Sequence, residues 1–184
     1  MNPRSLILFV ALFFSVSSLP AQQPEKKKAS STVAYFAGGC FWCTEEIFEQ
    51  QPGVNSVVSG YMGGAETIEV KFDPVKTSYD KLLNTFWQAH DPTEVNRQGP
   101  DTGPQYPSSI FYVDDQQREA AGKSKARLQA SHAYPRPIAT DITRAGKFTV
   151  AHQHHQNFCR RNPNNRYIQQ TLVPKLKKLG LRTP

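Results

Sequence analysis

The sequence predicts an α+β domain, a ferredoxin-like split βαβ sandwich of two layers. Three observations carry that prediction. Apolar runs of strand length stand at Val33 to Ala37, Val54 to Gly60, Ile68 to Phe72 and Ser109 to Val113. Apolar residues at 79, 82, 83, 86 and 87 form one helical stripe. In chain order the first six elements read β-α-β-β-α-β, the order that packs helices on one face of an antiparallel sheet.

The strand Val33 to Ala37 ends at Gly38-Gly39. Thr44 to Gln51, with Ile47 and Phe48, suits a short helix closed by Pro52-Gly53. The next two strands alternate and are joined through Gly63-Gly64, a turn signal. Ser78 is the expected N-cap of the helix to His90. Asp91 to Pro107 is rich in proline and glycine, and an irregular loop of that length tends to be functional. Gln116 to Ala130 reads as a polar amphipathic helix and Pro137 to Ile142 as a short strand. Ala151 to Arg160 and Tyr167 to Leu179 read as terminal helices.

Ahead of the domain, Arg4 precedes the apolar run Leu6 to Val16, and small residues follow up to Ala21. This is the layout of a secretory signal over residues 1–21, and the run is short for a permanent membrane span. Polar residues 22–31 read as a flexible linker, and 32–184 as a single domain with a basic tail. The expectation is an exported protein, periplasmic or secreted, with no transmembrane segment in its mature form.

The net charge of +7 invites a nucleic-acid reading, which its distribution excludes. Residues 33–170 hold 14 Lys+Arg against 14 Asp+Glu, so the excess lies at the ends and leaves no basic groove on the domain. Three cysteines are too few for a disulfide framework.

Chemistry concentrates at Gly38-Gly39-Cys40-Phe41-Trp42-Cys43. Cys40 follows a strand and two glycines and opens a helix, where backbone N–H groups are expected to favour the thiolate. Phe41 and Trp42 set an apolar wall beside it. Cys40 and Cys43 also form a C-x-x-C, which is open to two other readings. One is a dithiol–disulfide oxidoreductase. The other is half of a zinc site, with His155 and Cys159 on one helical face and His152 and His154 nearby.

These stretches resemble the peptide methionine sulfoxide reductase A family. The resemblance runs through GGCFWCTEEIF, PGVNSVVSGYMGG, AETIEVKFDP, FWQAHDPTEVNRQGPDTGPQYPSSIFY and HHQNFCRRNP, about residues 33 to 166. It implies thiol-dependent reduction of the S epimer of methionine sulfoxide, free or in proteins. The route passes through a Cys40 sulfenic acid and then a disulfide, with no metal or bound organic cofactor. By position, Cys40 matches the nucleophile and Glu66 the acid. Phe41 and Trp42 match the pocket for the substrate methyl, and Asp101 and Tyr106 the groups that hold the sulfoxide oxygen. A thioredoxin-like dithiol is the implied reductant, and a monomer is expected.

Two departures stand out. Gly64 runs directly into Ala65-Glu66, where the family usually has a longer connection carrying a tyrosine. Ile168 stands where many members place a resolving cysteine, which leaves Cys43 and Cys159 as candidates. A degenerate, non-catalytic reductase fold is the alternative that the shortened connection raises.

Overall fold

A computed structural model describes residues 32–184. The proposed signal peptide and linker lie outside the described residues.

Strand β1 (Val33–Gly38) leads into helix α1 (Phe41–Glu49), followed by β2 (Val54–Met62), β3 (Ala65–Phe72) and α2 (Tyr79–Ala89). Two-residue strands β4 (Arg97–Gln98) and β5 (Asp101–Thr102) pair inside the long loop. Then come β6 (Ser108–Tyr112), α3 (Asp115–Ala130), β7 (Asp141–Arg144) and β8 (Phe148–Val150). The chain ends in a 3-10 turn (Gln153–His155), α4 (Phe158–Arg161), a π turn (Ile168–Leu172) and α5 (Val173–Lys178).

The main sheet runs β7-β6-β1-β3-β2-β8. Its central four strands are antiparallel in the split βαβ order expected from the sequence, and β7 joins β6 in parallel. Alternation along β1 explains the layering. Ala34 and Phe36 are fully buried, and Phe36 stacks against Phe48 of α1 and Phe86 of α2, each at 5.2 Å between centroids. Tyr35 points to the other face, where it donates to Glu69 at 2.7 Å and meets Phe148.

Local chemistry sets the joints. Ser78 caps α2 as expected, accepting from the Lys81 N–H at 3.3 Å. Gly63 (φ 59°) and Gly64 (φ 87°) close the β2–β3 hairpin with both central residues left-handed, the turn that matches strand twist. Pro174 has no N–H to give to the preceding turn, which accounts for the π turn just before it.

The described structure corrects three sequence expectations. Helix α1 begins at Phe41, three residues before Thr44. The strand read at Pro137 to Ile142 lies at Asp141–Arg144, since two prolines at 135 and 137 withhold ladder donors from the earlier stretch. Ala151 to Arg160 is not one helix. The Gln156 side chain is drawn into the sheet, accepting from the Ser59 N–H at 3.0 Å and donating to the Ser59 and Ala151 carbonyls. Asn157 then turns left-handed at φ 52°. His155 and Cys159 therefore share no helical face. Among the described residues, no three His, Cys, Asp or Glu side chains converge as a metal site. No described helix is long and apolar enough to cross a membrane.

Gly39 fixes how α1 leaves β1. Its φ is 83°, and a Cβ there would lie 2.4 Å from Gln98 Cβ. Gly39→Ala is expected to lose about 1–3 kcal/mol, the scale of a left-handed non-glycine residue. Denaturant unfolding checks this, and a variant as stable as the parent would contradict it.

Candidate active site

Cys40 is the N-cap of α1, and its carbonyl accepts from the Cys43 N–H at 3.1 Å. It is 7% exposed. The helix start was expected to lower its pKa. Instead the Cys43 sulfur beside it, together with burial, holds the Cys40 thiol well above its ordinary range, against a smaller opposing pull from the Tyr167 hydroxyl. Desolvation of a thiolate and a sulfur neighbour outweigh the few N–H dipoles of a nine-residue helix.

Glu66 reaches the same helix end. It lies two residues past the Gly63-Gly64 turn, directly opposite Tyr61 in the hairpin register. Its Oε2 accepts from the Phe41 N–H at 2.9 Å, so the short connection still delivers this carboxyl next to Cys40. Burial pushes the Glu66 pKa up to about 7, with Asp101 adding to the rise and the Phe41 N–H opposing it. The Glu66 N–H donates to the Gln105 carbonyl at 2.9 Å, which seats the 91–107 loop against β3.

That loop brings in Asp101 and Tyr106. Burial raises the Tyr106 hydroxyl pKa, with further contributions from Glu66, Cys40 and Asp101, which places it within their electrostatic reach. Asp101 Oδ2 accepts a 2.5 Å bond from the hydroxyl of Tyr167. Tyr167, in turn, lies 3.8 Å from Cys43 Sγ, which donates to it. Burial and the two sulfurs hold the Tyr167 hydroxyl far above its usual range, so it stays a neutral donor. Tyr167 was not among the residues singled out from the sequence. It lies 127 residues after Cys40, and its sequence signal is its place beside Ile168, in the stretch after Asn162-Pro163 where the family resemblance sets a resolving cysteine next to a tyrosine.

The aromatic wall is continuous. Phe41 is buried and packs on Tyr61 at 5.5 Å and on His155 at 5.4 Å. Trp42 is half-buried and stacks on Phe158 at 3.9 Å with an interplanar angle of 12°. Cys159 is buried behind this wall, donating to the Trp42 carbonyl at 3.3 Å, and burial drives its thiol pKa far up. The residues matched from the sequence thus gather at one end of α1. The arrangement offers a thiol, a carboxyl poised to hold a proton near neutrality, hydroxyl donors and an apolar pocket edge.

Comparison with known proteins agrees with this arrangement. The family model for peptide methionine sulfoxide reductase matches residues 32–67 and 63–183. The two pieces meet at the hairpin where this chain has its short connection. Peptide methionine sulfoxide reductase MsrA 1 of Rhodopirellula baltica is 46% identical over 172 residues, covering 84% of this chain and 88% of that one. The MsrA of Deinococcus radiodurans is 38% identical over 182 residues, covering 90% and 88%. Among solved structures, methionine sulfoxide reductase A of Corynebacterium diphtheriae superposes with a TM-score of 0.63 at 30% identity, covering 73% of this chain and 76% of that one. Reduced Mxr1 of Saccharomyces cerevisiae gives 0.68 at 28% identity, covering 72% and 86%. On the family match, these relatives and the shared fold, the chain belongs to the peptide methionine sulfoxide reductase family.

Proposed function

We propose that this protein reduces the S epimer of methionine sulfoxide, in oxidised proteins or free, with Cys40 as nucleophile and Glu66 as proton donor. The observation that carries this reading is the Glu66 carboxyl bonded to the Phe41 N–H at the helix start that Cys40 caps. Phe41 and Trp42 take the substrate methyl, while Asp101 and Tyr106 hold the sulfoxide oxygen. The Cys40 sulfur attacks the sulfoxide sulfur and Glu66 protonates the oxygen. Attack forms a bond between the two sulfurs, and the oxygen leaves as water after a second proton from solvent, breaking the sulfur–oxygen bond. Water then adds to the Cys40 sulfur and breaks the sulfur–sulfur bond, which releases methionine and a proton and leaves a sulfenic acid. A second thiol displaces that oxygen as water and forms a disulfide. A thioredoxin-like dithiol then supplies the two electrons that restore both thiols.

Cys43 is the resolving thiol in this reading. It stands three residues from Cys40 and perturbs that thiol more than any other neighbour does. Cys159 is buried, protonated and committed to the Trp42 carbonyl, a poor attacking group. Cys43→Ser is expected to keep one methionine per protein but to stop recycling by thioredoxin. Cys159→Ser is expected to recycle. The reverse pattern, read by counting methionine formed with and without reductant, would reassign the resolver.

The epimers test the overall reading. With dithiothreitol as reductant, the S-sulfoxide of a methionine peptide is expected to be consumed over many turnovers and the R-sulfoxide left intact. Equal consumption of both, or of neither by folded protein, contradicts it. The run Leu6 to Val16 supports export, with residues 1–21 removed and a monomer released to the periplasm or medium. N-terminal sequencing that finds Met1 on the protein in cells contradicts export with cleavage.

A further inference from the structure

Glu45 is the most deeply buried carboxyl near the site to which the chemistry above gives no task. It lies on α1 five residues after Cys40 and is 2% exposed. Arg160 does not neutralise it, because that guanidinium pairs with Glu46 at 3.1 Å and Glu49 at 2.7 Å. Its Oε2 instead accepts from the backbone N–H of Asn157 at 3.0 Å, and the Ser59 side chain is a weaker second partner. The bond thus ties a carboxyl buried in α1 to the backbone at Asn157.

The donor is the residue that matters. Asn157 is left-handed and turns the chain from the Gln153–His155 turn into α4. The next residue, Phe158, lies nearly parallel on Trp42 at 3.9 Å. His155, two residues before Asn157, also stacks on Trp42, at 5.8 Å and 27°. Trp42 has no anchor of its own, since its buried indole N–H finds no acceptor among the described residues. Its ring orientation rests on stacking, and the stacking partners flank the residue that Glu45 holds.

We infer that Glu45 is a positioning residue for substrate grip: by fixing Asn157 it seats Phe158 on Trp42 and so sets how tightly the sulfoxide-bearing side chain is held. This rests on the reading that Trp42 bounds the substrate pocket. Glu45 acts on binding rather than on the sulfur chemistry, so its effect falls on KM.

Steady-state kinetics with an S-sulfoxide peptide and dithiothreitol, together with tryptophan emission, test the inference in Glu45→Leu, Glu45→Gln, Phe158→Ala and the Glu45→Leu/Phe158→Ala double variant. Glu45→Leu removes the acceptor at similar volume. It is expected to raise KM about tenfold, equivalent to about 1.4 kcal/mol, with kcat within about twofold. It is also expected to shift the emission of Trp42, whereas Trp87 remains buried on α2 and bonded to Ser124. Glu45→Gln keeps an oxygen acceptor for Asn157 and is expected to behave as the parent in both measurements. The double variant should be no worse than Phe158→Ala alone, because both changes release the same contact. Unchanged KM and emission in folded Glu45→Leu overturns the inference. So does additivity of the two substitutions, or a Gln variant as impaired as Leu. A shifted emission with unchanged KM overturns the pocket reading, and with it the effect on binding claimed for Glu45. If Glu45→Leu does not fold, Phe158→Ala decides alone: a raised KM with shifted emission supports the inference, and no change in either overturns it.

Discussion

Cys40→Ser abolishes methionine formation from the sulfoxide, with a loss on the order of 10⁴ or more, the scale on which removing a nucleophile acts. The fold tolerates the change. Cys40 is a small buried N-cap, and serine is a preferred residue at that position. The variant should therefore unfold at a denaturant concentration close to that of the parent while losing all turnover. Retained activity at even 1% of the parent, once contaminating enzyme is excluded, would move the nucleophile elsewhere (Cys43 being nearest in sequence). A separate assay distinguishes reduction of sulfoxide from simple dithiol exchange. A C-x-x-C oxidoreductase reduces insulin disulfides with no sulfoxide present, and this protein is expected not to.

Glu66→Gln lowers the rate of sulfoxide reduction by about 10²–10⁴, the usual contribution of a positioned acid. Its signature lies in the pH profile. The reacting form needs Cys40 as thiolate and Glu66 as acid. Glu66 titrates at about 7, and Cys40 well above its ordinary range. Below pH 7 both groups hold protons, so the rate rises tenfold per pH unit as thiolate forms. Above pH 7 each gain in thiolate is matched by a loss of acid, so the profile bends to a plateau until Cys40 itself titrates. Glu66→Gln has no proton to lose. Its slower rate should climb through pH 7 without a bend. Single-turnover measurements between pH 5.5 and 9 check both curves, and a bend near 7 that survives in the Gln variant would assign it to another group.

The two residues in these predictions differ in how they could be found. Cys40 is legible locally, because a strand, a Gly-Gly step and a helix start all lie within a few residues of it. Glu66 looks like an ordinary exposed strand residue. Only the hairpin register, the docking of Gln105 on its N–H and the approach of α1 turn it into a half-buried carboxyl. The resemblance of Ala65-Glu66 through Pro74 to the family located it; composition and periodicity did not. Tyr167 was missed for the same physical reason. Its bond to Asp101 spans 66 residues, and no local pattern encodes such a contact.

The central sheet and α2 were legible because their apolar periods are long and regular. The segment 151–160 was misread because tertiary capture overrode its local pattern. Gln156 bonds to the backbone of β2 as a further strand residue would, and that breaks the helix the sequence suggests. The direction of the Cys40 pKa shift was misjudged similarly. The helix start is visible in the sequence, but burial and the orientation of a second sulfur are not.

The hairpin at Gly63-Gly64 makes the length of this part of the chain a separable trait. Among the described residues, apart from the chain neighbours, no atom lies within 4 Å of where a side chain at either glycine would begin, and Met62 is already paired with Ala65. Residues inserted between the two glycines would project into open space without slipping the ladder that carries Tyr61 and Glu66. Each doubling of such an insert costs only about 0.6 kcal/mol in closure entropy. Evolution, or an engineer, can thus graft or prune an appendage beside the reaction centre while the chemistry beneath keeps its register.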